Sequence, residues 1–354
     1  MKIDKVQLRD FMLFENLTMQ CSKNINVICG SNSTGKTAIL KLLYAMTEAY
    51  GKIGEKPETK EQLNARFVEK LTHVFRPEDM SVGRLARRRQ GSSRAEGTIT
   101  FSKGKEIKFG FGNKQSVKMD LEASDMLPRP IKPNMAIYFP PKEIISATEN
   151  FASLYQEFNI AFEETYYDLA RLLMRPLKRG PNTGEQNAVV GKLGDIMGGS
   201  IIQKENKFYL KTHGQGEFEM GLVSEGYRKL ATIVYLILNG SLSNNSILFW
   251  DEPETNMNPR MIQSLVEAVI ELAKMGVQIF ITTHDYFLQQ YFNLYAAYPE
   301  ENRSSLAFRF VSLYKAESGE IEMDAADTLS DLKHNPIMEE FDAIYDYEQR
   351  MLLR

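Results

Sequence analysis

Cysteine is nearly absent: the 354 residues hold only Cys21 and Cys29. Two thiols at this spacing supply neither a disulfide framework nor a zinc-ligand set, so plain buried thiols in a reducing compartment are expected. Long hydrophobic runs are also lacking. The longest largely apolar stretch, Leu230 to Leu238, is far short of the roughly 20 residues that span a bilayer. The opening residues, MKIDKVQLRDF, alternate apolar and polar side chains and contain no signal-peptide core. A cytoplasmic protein with no membrane association is expected. Neither charge dominates: 43 Lys and Arg face 46 Asp and Glu, net −3. That balance argues against a chain devoted to coating nucleic acid and leaves room for a local basic patch. Internal repeats, long heptad runs and low-complexity tracts are missing too.

What is present is core-forming material. Hydrophobic residues make up 43% and charged residues 25%, enough for one large α/β domain with an inserted lobe. Residues 1–50 read as strands, then a glycine loop, then a helix from Thr37. Residues 51–135 read as an inserted helix and β-meander, with strand-like runs at Thr98–Phe101 and Ile107–Phe111. Ala136–Phe139 reads as a core strand stopped by Pro140-Pro141. Residues 146–220 form a helical and glycine-rich lobe: helical over 150–178, then many glycines and short strands such as Lys207–Leu210. From 221 the α/β pattern returns. Tyr227–Leu238 is helical, and Ser246–Trp250 is a buried strand. Asn258-Pro259 starts a helix that Gly276 ends, and Val277–Thr282 is the next strand. Strand, helix, strand in this order implies a parallel sheet.

Four motifs carry chemistry. The first is Gly30-Ser-Asn32-Ser33-Thr34-Gly35-Lys36-Thr37, followed by Ala38. Its glycines permit the tight turn that lets backbone N–H groups wrap phosphates, with the helix N-terminus behind them. Lys36 suits β/γ-phosphate oxygens and the Thr37 hydroxyl suits Mg²⁺. The ligand expected is ATP. The second motif is Leu248-Phe-Trp-Asp251-Glu252-Pro253, an apolar strand delivering two carboxylates at its end. Asp251 suits the Mg²⁺ shell and Glu252 suits a general base that activates water. The third is Ile281-Thr-Thr-His284-Asp285, where the imidazole can bond a γ-phosphate. The fourth is Ser224-Glu225-Gly226, opening a helix. It fits either a second phosphate grip for a partner chain's ATP or a simple helix cap by Ser224.

These elements, in this order, resemble the ATP-binding cassette architecture, and more narrowly the SMC/RecF/OLD-type AAA-family ATPases of prokaryotes. The resemblance covers roughly 1–50, 135–145 and 220–290; the tail Asp331–Asp342 is similar to tails of the same group. It implies a P-loop NTPase fold of ABC-ATPase type, with a mixed or parallel sheet core, an inserted β-meander and a helical lobe. It also implies a head-to-tail dimer. Lys36, Thr37, Asp251, Glu252 and His284 then act within one chain, and Ser224–Gly226 act across to the other. Glu254–Asn258 falls at the dimer seam but departs from the usual pattern there. Phe139-Pro-Pro-Lys142-Glu143 lies where a glutamine-bearing loop is expected; no glutamine is present, and Lys142 and Glu143 are the alternatives for its role.

The resemblance further implies a stand-alone ATPase head. Residues 51–220 are too short for a long coiled coil, and the 70 residues after His284 are too few for a nuclease domain. The expectation is an ATP-hydrolysing sensor or motor for a separate effector, a nuclease by preference, in antiphage defence or DNA repair. A nucleotide-gated scaffold is the alternative, and a transporter subunit a remote one. Finally, Arg84, Arg87, Arg88, Arg89 and Arg94 crowd eleven residues. They fit DNA or RNA phosphates, an acidic partner protein, or a solvated loop.

Overall fold

A computed structural model describes residues 1–53, 58–123, 136–158, 160–302 and 305–352. The chain opens as a hairpin, β1 (Ile3–Phe11) and β2 (Phe14–Gln20), closed by Met12-Leu13 with Phe11 paired to Phe14. β3 (Ile25–Gly30) follows and is buried along its whole length. After the glycine loop come α1 (Lys36–Gly51) and α2 (Lys60–Phe75). A capping box starts α2: Thr59 accepts from the Gln62 N–H and Gln62 answers to the Thr59 N–H.

β4 (Arg94–Phe101), β5 (Lys105–Gly112) and β6 (Asp120–Ala123) form the expected meander. It is not set apart: β4 pairs with β1, giving one antiparallel sheet in the order β2-β1-β4-β5-β6. β7 (Ala136–Phe139) is the short core strand before Pro140-Pro141. α3 (Phe151–Phe158) and α4 (Glu164–Leu173) fill the helical stretch. The glycine-rich stretch contains α5 (Gly184–Met197), a helix that its glycine pattern does not announce. A capping box at Thr183 and Gln186 starts it and left-handed Gly198 ends it, while Val189, Leu193 and Met197 bury one face. β8 (Gly199–Lys204), β9 (Lys207–Thr212) and β10 (Gly216–Glu219) make a small antiparallel sheet.

The second half supplies α6 (Glu225–Leu238), β11 (Ile247–Asp251), α7 (Pro259–Lys274), β12 (Gln278–Thr283) and α8 (Tyr286–Ala297). Asn258 caps α7 by accepting from Arg260 N–H, with Pro259 at the first helical position. β13 (Phe308–Lys315), β14 (Ile321–Ala326) and α9 (Pro336–Leu352) complete the chain. The central sheet runs β14-β13-β3-β12-β11-β7, parallel from β13 to β7 with β14 antiparallel at one edge.

Strand alternation splits this sheet between two cores. On β11, Ile247 and Phe249 face α1, α2 and the antiparallel sheet, while Leu248 and Trp250 face α4 to α8. Asp251 therefore shares the α1 side with Phe249. That parity aims its carboxylate at the start of α1. Among the described residues no helix is long and apolar enough to cross a membrane.

Candidate functional site at the ends of the parallel strands

β3 stops at Gly30 because the chain must turn there. Gly30 has φ 140°, and a Cβ on it would stand 2.1 Å from the Leu313 carbonyl oxygen of neighbouring β13. Gly35 caps α1 at φ 94°, where a Cβ would strike the Phe14 ring at 2.4 Å. Both positions exclude any side chain. The first backbone bond of α1 runs from Ile39 N–H to Gly35 O. The N–H groups of Lys36, Thr37 and Ala38 thus remain at the loop's mouth, at the positive end of the helix. Asn32 and Ser33 are exposed on the loop, and Thr34 is buried with its hydroxyl donating to Ser31 O at 2.9 Å.

Lys36 is 6% exposed, and its ammonium donates to Gly30 O and Ser31 O, 2.9 Å each. Burial pulls its pKa below the ordinary lysine value, while Glu252, Asp251 and Glu254 push the other way. Three donors on two carbonyls leave one N–H to spare. The Thr37 hydroxyl donates to Asp251 Oδ1 at 3.0 Å. Thr282, registered directly opposite Asp251 on β12, donates to the same oxygen. Tyr138 on β7 donates to Oδ2 at 2.9 Å. Burial raises the Asp251 pKa above the usual carboxylate value, and the three hydroxyl donors oppose the rise.

Glu252 follows with φ 47°, a left-handed backbone rare for a residue with a side chain. Such strain costs about 1–3 kcal/mol and is characteristic of functional sites. The Glu252 N–H is held by the Thr282 carbonyl at 3.1 Å. Its carboxylate turns out of the sheet to lie 3.4 Å from His284 Nδ1. His284 is half exposed at the end of β12. Lys36, Thr37, Asp251, Glu252 and His284 are therefore brought together on the ends of β3, β11 and β12.

Ser224, Glu225 and Gly226 lie elsewhere. Among the described residues no hydrogen bond or ion pair joins them to residues 30–37. Ser224 stands at the N-cap position of α6, yet its side chain makes no capping bond and is exposed. Gly226 is buried against Met261, whose methyl carbon a Cβ would approach to 2.9 Å.

Sequence reasoning missed Tyr138, Thr282 and Lys229, and placed Glu254 only within the seam segment. Tyr138 and Thr282 hold Asp251; the direct register of Thr282 with Asp251 was the available signal. Glu254 is buried, accepts from the Thr283 hydroxyl at 2.6 Å and from His284 N–H at 3.3 Å, and its Oε2 has no hydrogen-bond partner among the described residues. Lys229, 3% exposed, donates to the carbonyls of Pro253 and Thr255. Asn256 also donates to Glu225 at 3.0 Å. The 253–256 turn is thus held by α6 on one side and β12 on the other. Glu143 is committed to Arg228 at 2.6 Å and to Ser146.

The arginine cluster is largely neutralised. Arg84 pairs with Glu78, Arg87 with Glu15 and Glu320, Arg89 with Asp10 and Glu15, and Arg94 with Glu96 and Asp120. Arg88 is exposed and has no ion pair among the described residues. Arg84, Arg87 and Arg88 border a cavity of about 730 Å³ shared with Ser31–Thr34. At the opposite side of the site, α9 and the 252–256 turn border a cavity of about 530 Å³, where Phe341 stacks on Tyr286 at 4.3 Å.

Residues 25–288 match the model of the family described as "AAA domain, putative AbiEii toxin, Type IV TA system". The chain belongs to this AAA family. No curated protein matches it. Among solved structures, the Smc head bound to the C-winged helix domain of ScpA is similar at TM-score 0.57 and 11% identity, covering 93% of this chain and 99% of that one. An Smc head with an extended coiled coil, bound to the C-terminal domain of ScpA derived from Pyrococcus furiosus, is similar at TM-score 0.52 and 10% identity, covering 98% and 99%. The fold of this AAA-family chain is that of a P-loop NTPase of SMC-head type, as the motif order implied.

Proposed function

We propose that the chain binds ATP with Mg²⁺ and hydrolyses it in a composite site completed by a second copy. One observation carries this reading. Lys36, Thr37, Asp251, Glu252 and His284 converge at one place, while the uncapped Ser224 opens a helix whose first residues make, among the described residues, no hydrogen bond or ion pair with the 30–37 loop. The phosphate grip at Ser224–Gly226 is then for another chain's nucleotide, and two chains meet head to tail.

The roles follow from the geometry. The loop N–H groups of residues 32–38 and the Lys36 ammonium hold the β- and γ-phosphates. Thr37 and Asp251 offer the hard oxygen donors that Mg²⁺ prefers. Mg²⁺ bound there supplies neutralising charge to the phosphate oxygens. Glu252 accepts the proton of the attacking water, which His284 helps to place against the γ-phosphate. The Glu252–His284 approach of 3.4 Å supports a shared water.

The biological reading is a sensor or motor for a separate effector, a nuclease by preference, in antiphage defence or DNA repair. The Smc heads it resembles are bound to a separate polypeptide, ScpA, which is the precedent for such a partner. Direct DNA or RNA contact rests on Arg88 together with the outer faces of the paired arginines.

Mixing two inactive variants tests the composite site. Lys36→Ala and Ser224→Arg should each abolish ATP turnover. In a mixed head-to-tail dimer one site has both halves intact, so activity should return on mixing. Activity that stays absent on mixing, in variants shown to associate, refutes the shared site.

A further inference from the structure

We propose that Tyr138 is a positioning residue for the metal-side carboxylate: it fixes Asp251 so that Thr37 presents its oxygen to the cation. The inference rests on the reading of Asp251 and Thr37 as the Mg²⁺ side of the ATP site.

The Asp251 side chain is 1% exposed, so water cannot satisfy its oxygens. Its carboxylate torsion is intrinsically soft. Hydroxyls from three elements fix it. Thr37 on α1 and Thr282 on β12 both donate to Oδ1, and among the described residues only Tyr138 on β7 donates to Oδ2. Without Tyr138, Oδ2 is left buried and unpaired, and the carboxylate gains by rotating toward the two threonines.

That rotation matters for Thr37. A threonine hydroxyl has one proton and two lone pairs. While the proton points to Asp251 Oδ1, the lone pairs face the phosphate loop and are free for a cation. A carboxylate that turns releases the proton from this direction and lets it compete for the same space. Tyr138 therefore acts on the cation through Asp251 and then Thr37.

The tyrosine is built for this one bond. Its hydroxyl has no other hydrogen-bond partner among the described residues. Its ring is fixed independently, 5.3 Å from the Tyr44 ring between α1 and the sheet. Tyr44 gives a matched control. Its ring packs in the same cluster, but its hydroxyl donates to Asp168 at 2.6 Å, away from Asp251.

The experiment titrates Mg²⁺ against binding of a fluorescent ATP analogue to the full chain. Tyr138→Phe keeps the ring and removes the donor. It should raise the Mg²⁺ concentration for half-maximal effect about tenfold, a typical consequence of losing a hydrogen bond to a charged group. Affinity for the analogue in EDTA should stay within about twofold of the parent chain. Tyr44→Phe should lower the melting temperature and leave the Mg²⁺ midpoint unmoved. An unmoved midpoint in Tyr138→Phe, or an equal shift in Tyr44→Phe, overturns the inference while the ATP reading stands. A parent chain whose analogue binding ignores Mg²⁺ overturns both.

Discussion

Lys229 reaches from the second turn of α6 to the carbonyl of Thr255, donating at 2.7 Å, and to that of Pro253 at 3.0 Å. A buried ammonium is thus spent on the backbone of the turn that follows Glu252. Burial lowers its pKa, and Glu225 and Glu254 oppose the fall. Replacing it by methionine keeps the length and strands two carbonyls. Lys229→Met should cost on the order of 2 kcal/mol of stability. It should also lower kcat more than it changes KM, because the turn positions the acid rather than the nucleotide. Denaturant unfolding and steady-state kinetics check both halves.

The 3.4 Å approach of His284 Nδ1 to Glu252 Oε1 predicts unequal effects of two substitutions. Glu252→Gln removes the proton acceptor and should lower turnover at least about a hundredfold with nucleotide affinity kept. His284→Ala removes a placing group and should cost less in turnover. Single-turnover assays with a fluorescent analogue separate the two steps. Equal loss of binding and turnover in Glu252→Gln contradicts the assignment.

Glu254 predicts a pH dependence. Burial raises its pKa above the ordinary 4.5, with the Thr283 hydroxyl opposing. Between the ordinary and the raised value the folded chain holds more protons than the unfolded one. Stability from this group is therefore full below about 4.5 and is lost as pH rises through the folded value. Glu254→Gln cannot lose a proton. The melting temperature of the variant, relative to the parent, should rise from pH 4.5 toward pH 7.5. A flat difference across that range contradicts the buried, raised carboxylate.

Gly35 gives a prediction from sterics alone. Its φ is 94°, and the Phe14 ring lies 2.4 Å from where a Cβ would stand, so Gly35→Ala must shift the loop or the β1–β2 hairpin. The variant should lose analogue binding and keep most of its secondary structure by circular dichroism. Retained affinity contradicts the loop geometry.

Much of this was legible in the sequence where local signals were strong. β3, the loop and α1 follow from a fully apolar strand stopped by glycine. α7 follows from Asn258-Pro259, which cap it as expected. α5 was hidden because Gly184, Gly191 and Gly194 weaken the helical pattern; its capping box and the burial of Leu193 and Met197 override that weakness. That β13 pairs with β3 was hidden because the two lie far apart in the chain. The arginine cluster looked like a free basic face for the same reason. The acid that neutralises Arg87 on one side is Glu320, which local sequence cannot supply. Tyr138 was hidden because a strand pattern reports only which face a side chain takes. It does not say that a phenol will reach the next strand's terminal acid.

The central claim is that Gly30–Thr37 is half of a site. Light scattering on Glu252→Gln tests it most directly. With ATP and Mg²⁺ the variant should run at twice the 40.5 kDa chain mass, and adding Lys36→Ala or Ser224→Arg to it should return the monomer. A Glu252→Gln chain that binds ATP and keeps the same mass with and without it contradicts the account.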